Sequence, residues 1–242
     1  MSQVGLVGLG AMGAGMAGSL RRAGHTVHVY DVRPEAAQAF AAQGGVACAT
    51  LAELGAACDA VISVVVNAEQ TEQVLWGADG QGGVARSMKP GSTFVMCSTV
   101  APQRSIAWEQ ALNDMGLHYL DAPISGGAAR AASGEMTMMT AGKPEAYARV
   151  ETYLQAMAGK VYKLGSQAGN GSKVKIINQL LAGVHIAAAA EAMALGLREG
   201  VDAAELYEVI THSAGNSWMF ENRMAHVLAG DYTPLSAVDI FV

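Results

Sequence analysis

The chain has 242 residues, 51% of them hydrophobic and 15% charged, with a formal net charge of −6. This composition excludes disorder as the main state and suffices for one large core or two modest ones. The few Lys and Arg are scattered rather than striped, so there is no electrostatic footprint for nucleic acid and no nucleic-acid partner is expected.

Cys48, Cys58 and Cys97 lack metal-ligand spacing and form no even set, which reads as reduced, buried thiols in a cytoplasmic protein. The histidines at 25, 28, 118, 185, 212 and 226 show no metal spacing either, and no metal is expected. Val4 to Gly18 is apolar but has no basic leader, and its glycines are spaced as a turn motif, so it does not read as a secretory signal. The run from Ile176 to Ala190 holds Asn178, Gln179 and His185 and reads as too short and too polar to span a bilayer. A soluble protein without a membrane partner is expected.

Gln3 to Val7 is a short apolar strand that runs into Gly8-Leu9-Gly10-Ala11-Met12-Gly13 and then a helix-compatible stretch to Ala23. This is GxGxxG in the setting it requires. Gly8 serves the tight turn, Gly10 the approach of a pyrophosphate and Gly13 the packing of helix on strand, while amides at the helix start, around Leu9, Ala11 and Met12, receive phosphates. A second strand, Thr26 to Tyr30, ends in Asp31, 18 residues after Gly13, close to the ~20 expected of the acid that grips the adenosine ribose. A carboxylate there repels the extra phosphate of NADP, so NAD is favoured. Arg33 keeps open the alternative of recruiting that phosphate or stacking on adenine.

Pro34 opens a helix to about Ala42, and Ala60 to Val66 reads as a central parallel strand followed by a helix from Glu69 to Leu75. Val66 and Asn67, at the carboxyl end of that strand, face the cofactor in a sheet of this kind. Thr93 to Cys97 is the next strand. It ends in Ser98-Thr99, whose hydroxyls either reach a nicotinamide ribose or cap the helix beginning at Pro102. His118 to Leu120 leads into Asp121-Ala122-Pro123-Ile124-Ser125-Gly126-Gly127, a serine–diglycine turn suited to a carboxylate, or else an ordinary Pro/Gly turn. Glu135 to Thr140 and Lys160 to Leu164 read as strands around one helix, Glu145 to Ala156, and complete a nucleotide-binding domain at about Gly165.

From Gly171 to Glu199 there is no proline, which predicts one helix of roughly 25 to 29 residues, ~40 Å long. Leu180 to Ala190 is apolar on almost every face and should be surrounded by protein, within the chain or between subunits. Lys175, Asn178 and Gln179 share one face near its start. They read as a half-site, or as a polar start with the lysines snorkelling. Asp202 caps a helix to about His212, and a helix or loop surrounds Asn216 to Arg223.

Four segments resemble the successive signatures of the β-hydroxyacid dehydrogenases, the family of 3-hydroxyisobutyrate dehydrogenase: Gly8 to Gly13, Asp121 to Gly127, Gly169-Asn170-Gly171 with Lys175, and Asn178-Gln179. The resemblance spans the chain. The stretches Lys175 to Leu195 and Ser213 to Val242 are most similar to members acting on four-carbon sugar acids. The resemblance implies an α/β fold, a Rossmann domain over 1–165 followed by an all-helical domain over 166–242 built on a long central helix, as a homodimer or homotetramer. It implies hydride transfer from the 2-hydroxyl carbon of a small hydroxy acid to NAD, with Lys175 catalytic. Ser125, Gly126 and Gly127 would hold the substrate carboxylate, Asn178 and Gln179 would orient substrate, Thr99 would meet the nicotinamide and Trp218 would line the pocket. Tartronate semialdehyde and 3-hydroxyisobutyrate are alternative substrates, and a non-catalytic dinucleotide-binding module is an alternative of another kind. Two departures stand out. Many members carry two asparagines where this chain has Asn178-Gln179, and members continue with a Lys-Asp-Leu segment beyond the position of Val242, so the helical domain is expected to be C-terminally incomplete.

Overall fold

The computed structural model describes residues 3–78 and 80–233; the stretch from Ser236 to Val242 lies outside the described residues. In chain order the elements are β1 (Gln3–Val7), α1 (Gly13–Arg22), β2 (Thr26–Tyr30), α2 (Pro34–Ala41), β3 (Val46–Ala47), α3 (Leu51–Ala57), β4 (Ala60–Ser63), α4 (Ala68–Trp76), β5 (Thr93–Met96), α5 (Pro102–Asp114) and β6 (His118–Asp121). They continue as β7 (Ile124–Ser125), α6 (Gly127–Ser133), β8 (Met136–Thr140), α7 (Pro144–Ala148), α8 (Glu151–Met157), β9 (Ala158–Lys163), α9 (Asn170–Arg198), α10 (Ala203–Thr211) and α11 (Trp218–Leu228). The chain divides into two compact units, Met1–Ile176 and Ile177–Val242.

The first unit is built on a six-stranded sheet in the order β3-β2-β1-β4-β5-β6, parallel throughout. The central strands are apolar on both faces because both are covered. Val4, Leu6, Ile62, Val95 and Leu120 belong to one buried cluster, and their alternates Val7, Val61, Phe94, Met96 and Tyr119 belong to a second. A smaller sheet, β7-β8-β9, follows, with β7 antiparallel and β8 parallel to its neighbour.

Several expected elements change at their ends. The strand expected over Ala60 to Val66 stops at Ser63, because its neighbours end at Val7 and Met96; Val64 N–H still donates to Val7 O (2.8 Å), but Val65 O is taken by Ser98 Oγ (2.8 Å). The helix expected over Glu145 to Ala156 is two, α7 and α8, broken at Arg149-Val150, where Tyr147 and Val150 both turn inward and share the apolar spacing. The helices α3 and α6 were not legible as such. Thr50 Oγ1 caps α3 by accepting from Glu53 N–H (3.1 Å). The seven residues of α6 are held from outside: a Cβ on Gly15 of α1 would lie 2.7 Å from Ala132 N, and Ser19 Oγ donates to Ala131 O (3.0 Å).

The 29-residue α9 spans the length expected of it. Its apolar middle, however, is not surrounded by the described residues. Leu180 is 66% exposed, Leu181 53% and Val184 54%. Beyond Gln179 the buried positions of this helix are Ala189 and Met193, which pack with Phe220 and Met224 in the core of the second unit. By length and composition alone α9 is apolar enough to cross a membrane, a test that the core helix of a soluble protein also passes.

A methyl group on Gly13 would sit 1.8 Å from Gly8 O. Gly13→Ala should therefore lower stability by about 1–3 kcal/mol, as overpacking against backbone does, and shift the urea midpoint accordingly.

Candidate active site

The ends of β1, β2, β4 and β5 are stitched into one edge of the sheet by hydrogen bonds between their loops. Gly8 N–H donates to Tyr30 O (2.9 Å), and Leu9 N–H donates to Asp31 Oδ2 (2.7 Å). Gly8 has φ +95, and a Cβ there would lie 2.5 Å from Val64 O, so the first glycine is demanded by both conformation and approach. Gly10 is different. A Cβ there would meet nothing within 4 Å, leaving space over the backbone where a pyrophosphate can approach. The α1 helix, with Met12 at its N-cap position, has no side-chain cap and no acidic residue in its first turn, an N-terminus suited to an anion. These residues fit a dinucleotide.

Burial pushes the Asp31 carboxyl up, but the amides of Arg33 and Leu9 and the Arg33 guanidinium outweigh it, and the net shift is downward. It therefore stands as an anion at the end of β2. Its partner Arg33 contacts Oδ1 at 3.2 Å from an exposed position. Asn67 caps α4, its Oδ1 accepting from Gln70 N–H (2.9 Å), and Val66 N–H donates to Gln70 Oε1 (2.9 Å). Of the two hydroxyls after β5, Ser98 is buried and bonded to Val65 O and Thr71 Oγ1, while Thr99 is half-buried. Neither caps α5, whose cap residue is Ala101.

The edge continues at β6. Asp121, at its end, is fully buried and accepts three hydrogen bonds: Oδ2 from Gly169 N–H (2.8 Å) and Ser172 N–H (2.9 Å), Oδ1 from Ser172 Oγ (2.7 Å). Burial raises its pKa and these bonds oppose the rise, leaving a net upward shift. The clamp places the start of α9 at the edge where the glycine loop lies. One turn further, Lys175 is 7% exposed, and burial lowers its pKa to about 8. Sequence reasoning missed Asp121 and Ser172 as a pair. A carboxylate closing a strand and a serine in an acid-free first turn were the available signals.

Downstream of Asp121, Ser125 is half-buried at the end of β7, and Gly126 and Gly127 follow with φ +141 and +78, conformations that L side chains rarely adopt. A Cβ on Gly127 would meet nothing within 4 Å, so this turn is open as well as glycine-dependent. Asn178 and Gln179 continue the Lys175 face of α9, Asn178 half-buried and donating to Gln179 Oε1 (3.4 Å), Gln179 buried. In the second unit, Trp218 opens α11 and is 51% exposed, so it is not part of that unit's core, which takes Phe220 and Met224 instead. The three thiols are buried and free, and burial pushes them up, Cys48 to about 11 and Cys58 to about 12.

A parallel sheet of this order, with a glycine turn after its first strand and an acid after its second, defines a dinucleotide-binding protein of the Rossmann class. Residues 3–165 match the NAD binding domain of 6-phosphogluconate dehydrogenase, and residues 169–242 match the NAD-binding domain of NADP-dependent 3-hydroxyisobutyrate dehydrogenase. The L-threonate dehydrogenase of Cupriavidus necator is 66% identical over 99% of this chain and 80% of its own length. That of Escherichia coli K12 is 50% identical over 99% of this chain and 78% of its own. A crystal structure of 3-hydroxyisobutyrate dehydrogenase from Salmonella typhimurium matches with a TM-score of 0.93 at 50% identity, covering 100% of this chain and 83% of that one. The chain thus belongs to the 3-hydroxyisobutyrate dehydrogenase-like family of β-hydroxyacid dehydrogenases, NAD-dependent oxidoreductases.

Folding lowers the proton affinity of Lys175, so its charge disfavours the folded form below about pH 8, and this penalty fades as pH rises toward 10.5. Lys175→Met should accordingly be more stable than the native chain by roughly 1–3 kcal/mol at pH 7. The difference should shrink across pH 8 to 10.5 in denaturant titrations.

Proposed function

We propose that this chain oxidises L-threonate at C2 to the corresponding 2-oxo acid, with Lys175 as the general base and NAD as the oxidant. The observation that carries this reading is a lysine, buried and with its pKa brought to about 8, on a helix pinned to the nucleotide edge of the sheet. A base whose pKa lies near the working pH takes up and returns a proton efficiently. The likeness to L-threonate dehydrogenases at 50–66% identity supports the substrate.

The loop Gly8 to Gly13, with the amides of Leu9, Ala11 and Met12, would hold the pyrophosphate. Asp31 would accept from the adenosine ribose, while Val66, Asn67 and Thr99 would flank the nicotinamide half. Bound NAD supplies the acceptor for the hydride leaving C2. Neutral Lys175 Nζ takes the proton of the 2-hydroxyl as the carbonyl forms, and in reduction the ammonium gives it back. Ser125 with the amides of Gly126 and Gly127 would bind the substrate carboxylate. Asn178 and Gln179, on the lysine's face of α9, would orient the hydroxyls, and Trp218 would line the pocket. The anionic Asp31 favours NAD over NADP by repelling a 2′-phosphate.

The name of the Salmonella structure favours a second substrate, 3-hydroxyisobutyrate, and the same residues would serve it. A non-catalytic role has no use for a buried lysine, whose charged form is costly. The protein is read as soluble and cytoplasmic, with a nucleotide-binding domain over 1–165 and a helical domain over 166–242. In a homodimer or homotetramer, a second copy would cover the exposed apolar face of α9.

Lys175→Ala should lower the turnover of L-threonate by about 10²–10⁴-fold while leaving NAD affinity, read by fluorescence titration, unchanged. Turnover at the native rate would remove Lys175 from the mechanism. A panel of L-threonate, tartronate semialdehyde and 3-hydroxyisobutyrate with NAD and NADP should show the highest kcat/KM for L-threonate with NAD.

A further inference from the structure

The buried carboxylate of Asp121 touches two halves of the site at once. Its side chain holds the start of α9 through Gly169 and Ser172, one turn before Lys175. Its main chain continues, through Ala122 and Pro123, into the Ser125-Gly126-Gly127 turn. That connection is itself rigid. Ala122 N–H donates to Met96 O (2.9 Å), and Pro123 O accepts from Met139 N–H (2.9 Å).

The helix start is confined from the other side as well. A Cβ on Gly171 would lie 2.3 Å from Met139 O and 3.1 Å from Asp121 Oδ2, so the first turn of α9 runs in contact with β8 and cannot move toward it. Asp121 prevents it from moving away. An anion at the positive end of a helix adds to the hold. Other ionisable groups surround this start: Cys97, Tyr119 and Tyr147 lie within electrostatic reach of Asp121, Glu109 of α5 accepts at Oε2 from Ala168 N–H (3.4 Å), and the exposed Lys173 donates to Asn170 Oδ1 (3.3 Å).

We infer that Asp121 is a positioning residue for the reaction: by tying the lysine helix to the strand that feeds the serine–diglycine turn, it sets the separation between the bound carboxylate and the proton acceptor. The inference rests on the reading of Lys175 as base and of the turn as carboxylate site. A shift of about 1 Å between reacting groups costs on the order of 10²-fold in rate, so a clamp with three short hydrogen bonds is a proportionate device.

The test compares Asp121→Ala, Asp121→Asn, Ser172→Ala and Lys175→Ala in steady-state oxidation of L-threonate from pH 6 to 10, with NAD affinity and circular dichroism as checks on folding. Asp121→Ala should lower kcat about 100-fold with little change in either KM. It should also move the acid limb of the kcat profile upward from about pH 8, because a released lysine regains solvent. Asp121→Asn should recover most of the rate. Its amide oxygen can accept from both backbone N–H groups and its NH2 can donate to Ser172 Oγ, so the geometry survives without the charge. Ser172→Ala, which loses one bond of the three, should fall between, and it carries the test alone if Asp121→Ala does not fold. Native kcat and pH profile in Ser172→Ala or Asp121→Ala would overturn the proposal, as would an Asp121→Asn enzyme as slow as Asp121→Ala. Native turnover by Lys175→Ala in the same assay would instead remove the base on which the proposal stands.

Discussion

A carboxylate with no exposed surface must be satisfied by the protein, because leaving it unpaired costs several kcal/mol. Asp121 therefore constrains the chain well beyond β6. Once that strand is in the sheet, Gly169 and Ser172 have to arrive at its end, and the direction from which α9 enters is determined. Since β6 runs parallel to β1, β4 and β5, the entry falls on the edge that carries the glycine loop, Asn67 and Thr99. Nucleotide loop and lysine helix share an edge, and the bonds to Asp121 hold the helix there.

The same edge concentrates conformations that stability alone would not favour. Gly8, Gly126 and Gly127 hold positive φ, and Lys175 keeps an amine out of water at the expense of its charged form. These features are tolerable because the sheet beneath them is buried on both faces, with two apolar clusters separated by the strands. Lowered stability at Lys175 and its strength as a neutral base at moderate pH are two consequences of one cause, desolvation. A change that exposes the amine would relieve the first and weaken the second.

Much of the first unit was legible locally. GxGxxG after an apolar strand, Asp31 at the end of the next, and three further apolar runs announce a parallel nucleotide-binding sheet, because fully covered strands are apolar at every position. The lysine face of α9 was legible through helical spacing, and the caps at Asp202 and Asn67 through residue type. What escaped was decided at a distance. The α6 helix exists because α1 supplies a glycine and a serine against it, and β4 ends early because its neighbours do. The break at Arg149-Val150 serves two buried side chains that also fit one unbroken helix.

By itself, then, the sequence determined the class of sheet, the glycine turn of the cofactor loop and the grouping of Lys175, Asn178 and Gln179 on one helix face, since each depends on a short run or a fixed spacing. Only the tertiary structure decided that Asp121, 51 residues from Ser172, is its partner, and that Lys175 is buried. It also showed that the apolar middle of α9 is left uncovered by the described residues, though its composition alone suggested burial. Burial and hydrogen bonding across such separations depend on where the sheet carries each segment, and no local pattern records that.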